Sequence, residues 1–152
     1  MEDSGKKRLY LDVCTLCRPF DAQDQMRIHL ETDAYYLILQ AIKNGDYEMT
    51  VSQVHFEEVN AIKDVQERDE ILALLRRYGK KCTADPSKTR ARAEEFYAKS
   101  FGVADAAHAA FAETSADVFI SCDDKLIKKC NTVEVDVLAM NPVEFAMSED
   151  LT

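Results

Sequence analysis

Tryptophan is absent from this 152-residue sequence, which also holds only 4 Gly and 3 Pro. So few chain breakers exclude a collagen-like or linker-dominated protein and point to an ordinary helix-rich globular domain. No window reaches 18 consecutive apolar residues, the length read as a transmembrane helix. The opening "MEDSGKKRLY" lacks the apolar core of a secretory signal, so a cytoplasmic protein is expected. Five cysteines is an odd number, irregularly spaced, and implies free thiols instead of a disulfide framework. Positive charge is also scarce. Nineteen Lys and Arg stand against 28 Asp and Glu, a net charge of −9, which argues against nucleic-acid binding through bulk charge. It leaves room for a nuclease whose surplus acids bind cations.

The apolar fraction of 47% in a chain of this length suits one domain over residues 1–152. Arg8 to Val13 reads as a buried strand, from the run Leu9, Tyr10, Leu11, Val13. A long helix is expected from Asp21 to Asn44, a strand from Tyr47 to Ser52, and helices from Val54 to Ala61 and Asp64 to Tyr78. "KKCTADP" holds a short strand or a turn. Ser87 is the candidate N-cap of a helix to Ser100, and a further helix runs from Ala104 to Thr114. Strand Asp117 to Ser121, helix Asp124 to Cys130, strand Val133 to Leu138 and a short helix opened by Asn141 and Pro142 complete the chain. Strands alternating with helices require crossover connections, and therefore an open parallel sheet covered on both faces. Ligands of such sheets bind beyond the carboxyl ends of the strands.

The residues at those ends are acidic or hydroxylic. The first strand gives Asp12, the second leads through Ser52 to Glu57 and Glu58, and the late strand gives Ser121, Asp123 and Asp124. Asp105 stands in the first turn of the helix after Gly102. Carboxylates about 5 Å apart repel by roughly 3 kcal/mol per pair at an effective dielectric near 20. Two divalent cations would neutralise four of them, the arrangement of two-metal phosphodiester hydrolysis. Oxygen-only ligands select Mg²⁺ or Mn²⁺.

Four segments, "RLYLDVCTLCRPFD", "TVSQVHFEEV", "GVADAAHAAFAE" and "DVFISCDDKLIKK", resemble in order the motifs of PIN-domain ribonucleases, and "VLAMNPVEF" looks like the last strand and closing helix of a prokaryotic subgroup. The resemblance spans about residues 8–147. It implies a three-layer α/β/α sandwich on a mainly parallel sheet of four to five strands. It also implies a Mg²⁺- or Mn²⁺-dependent endoribonuclease, with Asp12, Asp105 and Asp123 as metal ligands and Glu58, six positions after Ser52, completing the shell or orienting water. Glu57 is the alternative to Glu58. Ser52 and Ser121 would hydrogen-bond a carboxylate or an ion's water, and Asp124 would cap the next helix or support the metal. Many prokaryotic relatives are toxins silenced by a small antitoxin, so RNA, an antitoxin and a second copy of the chain are the expected partners.

Other features have simpler readings. His108, three residues after Asp105, is expected to pack or to support an acid, and His29 and His55 carry no signal. Tyr35 and Tyr36 are expected in the core or at a subunit contact. Cys14 and Cys17 lack the surroundings of a redox dithiol and the second pair that structural zinc needs, which leaves them as small buried hydrophobes under the loop carrying Arg18. Cys14 also occupies the position where a haloacid-dehalogenase-like phosphatase needs its second aspartate, which counts against that reading. Of the basic residues, Arg18 is the candidate phosphate contact.

Overall fold

The computed structural model describes residues 5–152; the first four, part of the stretch read as lacking a secretory signal, lie outside the described residues. Five strands form one sheet: β1 (Arg8–Leu11), β2 (Glu48–Val51), β3 (Gly79–Lys81), β4 (Val118–Ile120) and β5 (Leu138–Met140), ordered β3-β2-β1-β4-β5. All four pairings are parallel. β1 is central and pairs with β2 and β4, so the carboxyl ends of the three longest-separated segments lie side by side.

Alternation along the strands sorts side chains into two cores. Leu9, Leu11, Met49, Val51, Val118 and Ile120 face a layer made by α1 (Val13–Cys17), α2 (Met26–Lys43), α3 (Gln53–Asn60), α4 (Val65–Tyr78) and α8 (Pro142–Ser148). Tyr10, Phe119 and Ala139 face the other layer, of α5 (Pro86–Ala98), α6 (Val103–Ser115) and α7 (Asp124–Val133). The first layer is branched aliphatic. The second is rich in alanine, with Ala106, Ala109, Ala110 and Ala112 lying against Tyr10 and Phe119, which lets α6 lie close to the sheet. The expected α/β/α sandwich on a parallel sheet is therefore the observed architecture.

Several boundaries differ from the sequence reading, each for a local reason. Val13 is helical, because Asp12 ends the strand and caps α1 by accepting from the Thr15 N–H. The long helix starts at Met26, not Asp21: Arg18–Phe20 form a 3₁₀ turn containing Pro19, and Asp21 is extended. Asp85, not Ser87, caps α5, with Pro86 at the first helical position. α7 continues to Val133 until Glu134 turns into the left-handed region at φ 59°, which displaces the last strand to Leu138–Met140. β3 follows α4 without a loop, since Gly79 is both the helix cap and the first strand residue. A Cβ on Gly79 would stand 2.4 Å from the Leu75 carbonyl oxygen and 2.6 Å from Val51 Cγ1.

Candidate active site

Asp12 sits at the end of the central strand and is buried, 4% exposed. Its Oδ1 accepts from the Thr15 N–H at 3.0 Å and the Thr15 hydroxyl at 2.8 Å. Its Oδ2 accepts from the Ser121 hydroxyl at 2.5 Å, and the Cys14 thiol lies 3.0 and 3.1 Å from the two oxygens. A carboxylate so buried needs donors in place of water, and here the helix start and the neighbouring strand supply them.

Ser121, fully buried at the end of β4, also accepts from the Asp123 N–H at 3.0 Å. One hydroxyl therefore ties the first acid to the loop that carries the fourth. Asp123 is the N-cap of α7, its Oδ1 accepting from the Lys125 and Leu126 N–H groups at 3.0 and 3.2 Å. The expected cap, Asp124, is instead held in a two-pronged ion pair by Arg27 at 2.6 and 2.7 Å. The guanidinium keeps the Asp124 carboxyl below its ordinary range.

Asp105 occupies the first turn of α6, and its carboxylate has no hydrogen-bond partner among the described residues. Its pKa is raised, first by burial, then by the negative charges of Asp123 and Asp12, with Glu58 adding to them and His108 opposing. The four acids expected from the sequence thus share one electrostatic neighbourhood. Glu58 faces it from α3 and is bonded through Oε1 to His108 Nε2, which lowers the Glu58 pKa. Glu57 is exposed and lines a different groove, with Phe56 and Lys81.

The other candidate side chains have partners of their own. The Ser52 hydroxyl meets no acid; it is 2.8 Å from the buried Tyr10 hydroxyl and caps α3. His55 is not a background residue: its Nδ1 accepts from the Ser52 N–H and its Nε2 lies 2.6 Å from the Leu11 carbonyl oxygen, and burial holds its pKa down to about 3. Arg18 is engaged by Glu31 at 2.7 Å and Asp21 at 3.1 Å, beside a depression of about 490 Å³ that Arg27, Asp123 and Lys125 also line. Cys14 is an exposed residue whose thiol turns onto Asp12, whereas Cys17 is half-buried against the first core. All five cysteines are free.

Two features lie beyond the sequence reading. Tyr10 reads as plain core because its phenol gives no sign in an apolar run. Glu31, 1% exposed on α2, accepts from Arg18, Arg27 and the Asn141 amide, the last at 2.5 Å. Arg27 in turn donates to the Cys122 carbonyl at 3.3 Å and brackets the Asp123 loop. A D-x-x-T start to a helix was the available signal for Thr15.

The donor set is all oxygen at its centre, with one carboxyl destabilised by three others, which fits a hard divalent cation. Among the described residues, no three His, Cys, Asp or Glu side chains stand close enough to form a ready-made cage.

The topology defines a PIN-like α/β/α fold. Three similar solved structures carry that fold. FitAcB from Neisseria gonorrhoeae is 17% identical with a TM-score of 0.55, covering 88% of this chain and 97% of that one. FitAB bound to an IR36 DNA fragment is 20% identical with a TM-score of 0.54, over 89% and 95%. VapBC2 from Rickettsia felis, bound to a DNA fragment from its promoter, is 15% identical with a TM-score of 0.52, over 88% and 98%. No family model matches the chain, and no curated protein does.

Proposed function

We propose that the protein is a Mg²⁺- or Mn²⁺-dependent endoribonuclease and the toxin of a toxin–antitoxin pair. The observation that carries the catalytic reading is Asp105, a half-buried carboxylate without a hydrogen-bond partner among the described residues, whose ionisation is opposed first by burial and then by Asp123, Asp12 and Glu58. A fold gains no stability from that repulsion, and a bound cation reverses its sign. Asp12, Asp105 and Asp123 would hold the ion, with Glu58 completing the set. When bound, such an ion stabilises negative charge on a phosphodiester and favours water as the nucleophile.

The chain's own residues prepare the site. Thr15 and Ser121 fix the Asp12 carboxylate, and Ser121 sets its distance from the Asp123 backbone. Glu58, held from behind by His108, presents its second oxygen as an acceptor that orients the attacking water. In the depression beside the acids Arg18 and Arg27 are ion-paired with Glu31, Asp21 and Asp124, so Lys125 is the side chain that would meet an RNA phosphate flanking the cut.

The likeness to FitAB and VapBC2, which are toxin–antitoxin complexes, supports a small antitoxin as partner. Met26, Leu30 and Tyr36 on α2 are exposed apolar residues suited to a second copy of the chain. Among the described residues no helix is long and apolar enough to cross a membrane.

Cleavage of a generic single-stranded RNA with Mg²⁺ or Mn²⁺ tests the reading. Asp12→Asn is expected to abolish it while retaining the fold, and cleavage that survives this change would overturn the assignment.

A further inference from the structure

A buried polar chain runs behind the acids. The Tyr10 side chain projects from the middle of the central strand, 0% exposed, into the alanine-rich layer. Its hydroxyl lies 2.8 Å from Ser52 Oγ and 2.6 Å from His108 Nδ1, and His108 Nε2 is bonded to Glu58 Oε1. His108 is 2% exposed and stands edge-on to Tyr10, with ring centroids 5.5 Å apart. Phenylalanine would fill the same core volume at position 10. A phenol and an imidazole buried together cost free energy unless each polar atom is paired.

The pairing is complete in one direction only. The Ser52 N–H donates to His55 Nδ1, so the neutral His55 ring carries its proton on Nε2 and donates to the Leu11 carbonyl. His55 therefore makes no demand on Tyr10. Ser52 Oγ accepts from the His55 N–H as cap and has its own proton to give. The consistent assignment is Ser52 donating to Tyr10, Tyr10 donating to His108 Nδ1, and His108 Nε2–H donating to Glu58. Each group fixes the orientation of the next, and the chain ends on Glu58, the expected acid that lies deepest within a helix. Without it, Glu58 is a half-exposed side chain with three rotatable bonds.

We propose that Tyr10 and His108 are positioning residues, which aim the Glu58 carboxylate at Asp12, Asp105 and Asp123 and leave its second oxygen for the cation or its water. This rests on the reading of the acids as a cation site. It assigns the phenol, invisible in the sequence pattern, to the metal affinity of the site, as partners behind a ligand do in metalloproteins.

The test uses the full chain, Mn²⁺ titration by calorimetry and cleavage of a generic single-stranded RNA. Tyr10→Phe removes one oxygen and is expected to weaken Mn²⁺ binding about 10-fold and to lower kcat with little change in KM. A cycle with Glu58→Gln separates positioning from general loosening of the core. If Tyr10 acts through Glu58, the double variant binds Mn²⁺ no more weakly than Glu58→Gln alone. Wild-type affinity in Tyr10→Phe, or full additivity in the cycle, would overturn the proposal while leaving the nuclease reading standing. Wild-type protein that neither binds Mn²⁺ nor cuts RNA would overturn both. If Tyr10→Phe does not fold, His108→Phe, which keeps a ring in the core and cannot donate to Glu58, enters the same cycle with the same outcomes.

Discussion

Replacing Asp105 with asparagine should make the cation-free protein more stable, the reverse of what most substitutions of a structured residue do. Two unit charges about 7 Å apart repel by ~2 kcal/mol at an effective dielectric of ~20 and by ~0.6 kcal/mol in water. Asp105 is half-exposed, so solvent screening favours the lower figure for each of its three acidic neighbours. Their sum, ~2 kcal/mol, is opposed by the loss of a favourable carboxylate in the first turn of α6, worth about 0.5 kcal/mol. The balance, on the order of 1 kcal/mol, corresponds to a rise in Tm of ~2–4 °C for a domain of this size. Thermal melts in chelator at low ionic strength measure it. Added salt should shrink the gap, because screening weakens repulsion in the wild type. Added Mn²⁺ should reverse the order, since it stabilises only a folded state that retains the ligand. An asparagine variant that melts at or below the wild-type temperature in chelator would refute the electrostatic account of the site.

Burial of Asp105, together with the same repulsion, sets a pH dependence. The folded-state pKa of Asp105 lies above its unfolded value of 3.8, so its penalty is full at neutral pH and is relieved as pH falls toward 3.8. Glu58, Asp117 and Glu149 are shifted down, and the stability they contribute is lost only as pH falls through their lowered values. Melts in chelator should therefore show Tm rising on mild acidification before it collapses, and a monotonic fall from neutral pH would contradict this. Gly79→Ala should destabilise by about 2 kcal/mol, the scale of an overpacked core, because its Cβ meets the Leu75 carbonyl and Val51; chemical denaturation reads it. Cys14→Ser should retain RNA cleavage, since a hydroxyl can take over the thiol's contact with Asp12. A large loss would give the sulfur a role of its own.

The layers, the parallel sheet and the strand ends were legible because periodicity follows burial. The unbroken runs Leu9, Tyr10, Leu11 and Val118, Phe119, Ile120 announce strands buried on both faces, and each such strand delivers its next residue to the carboxyl edge. Legibility fails where a side chain's partner is distant in sequence. Nothing near Asp124 indicates Arg27, and nothing near Glu31 indicates Asn141, so a cap was expected at Asp124 and Glu31 went unremarked. Capping chemistry also misplaces boundaries by a residue or two. Asp123 and Asp124, or Asp85 and Ser87, are equally good caps until backbone geometry selects one. Tyr10 marks a different limit, since apolar patterning registers its ring and is silent about its hydroxyl.

The Glu31 hub also bears on when the site comes into being. The bond from Asn141 joins residues 110 positions apart, and the Ser121 bond to Asp12 spans 109. A chain emerging from the ribosome amino end first can make β1, α2 and β2 early, but it cannot anchor the Asp123 loop until Ser121 follows, or complete the Glu31 clasp until Asn141 does. A nascent chain therefore carries Asp12 before Asp105, Ser121 and Asp123 exist to surround it, so synthesis order delays assembly of the acidic cluster until β4 and the start of α7 have been made.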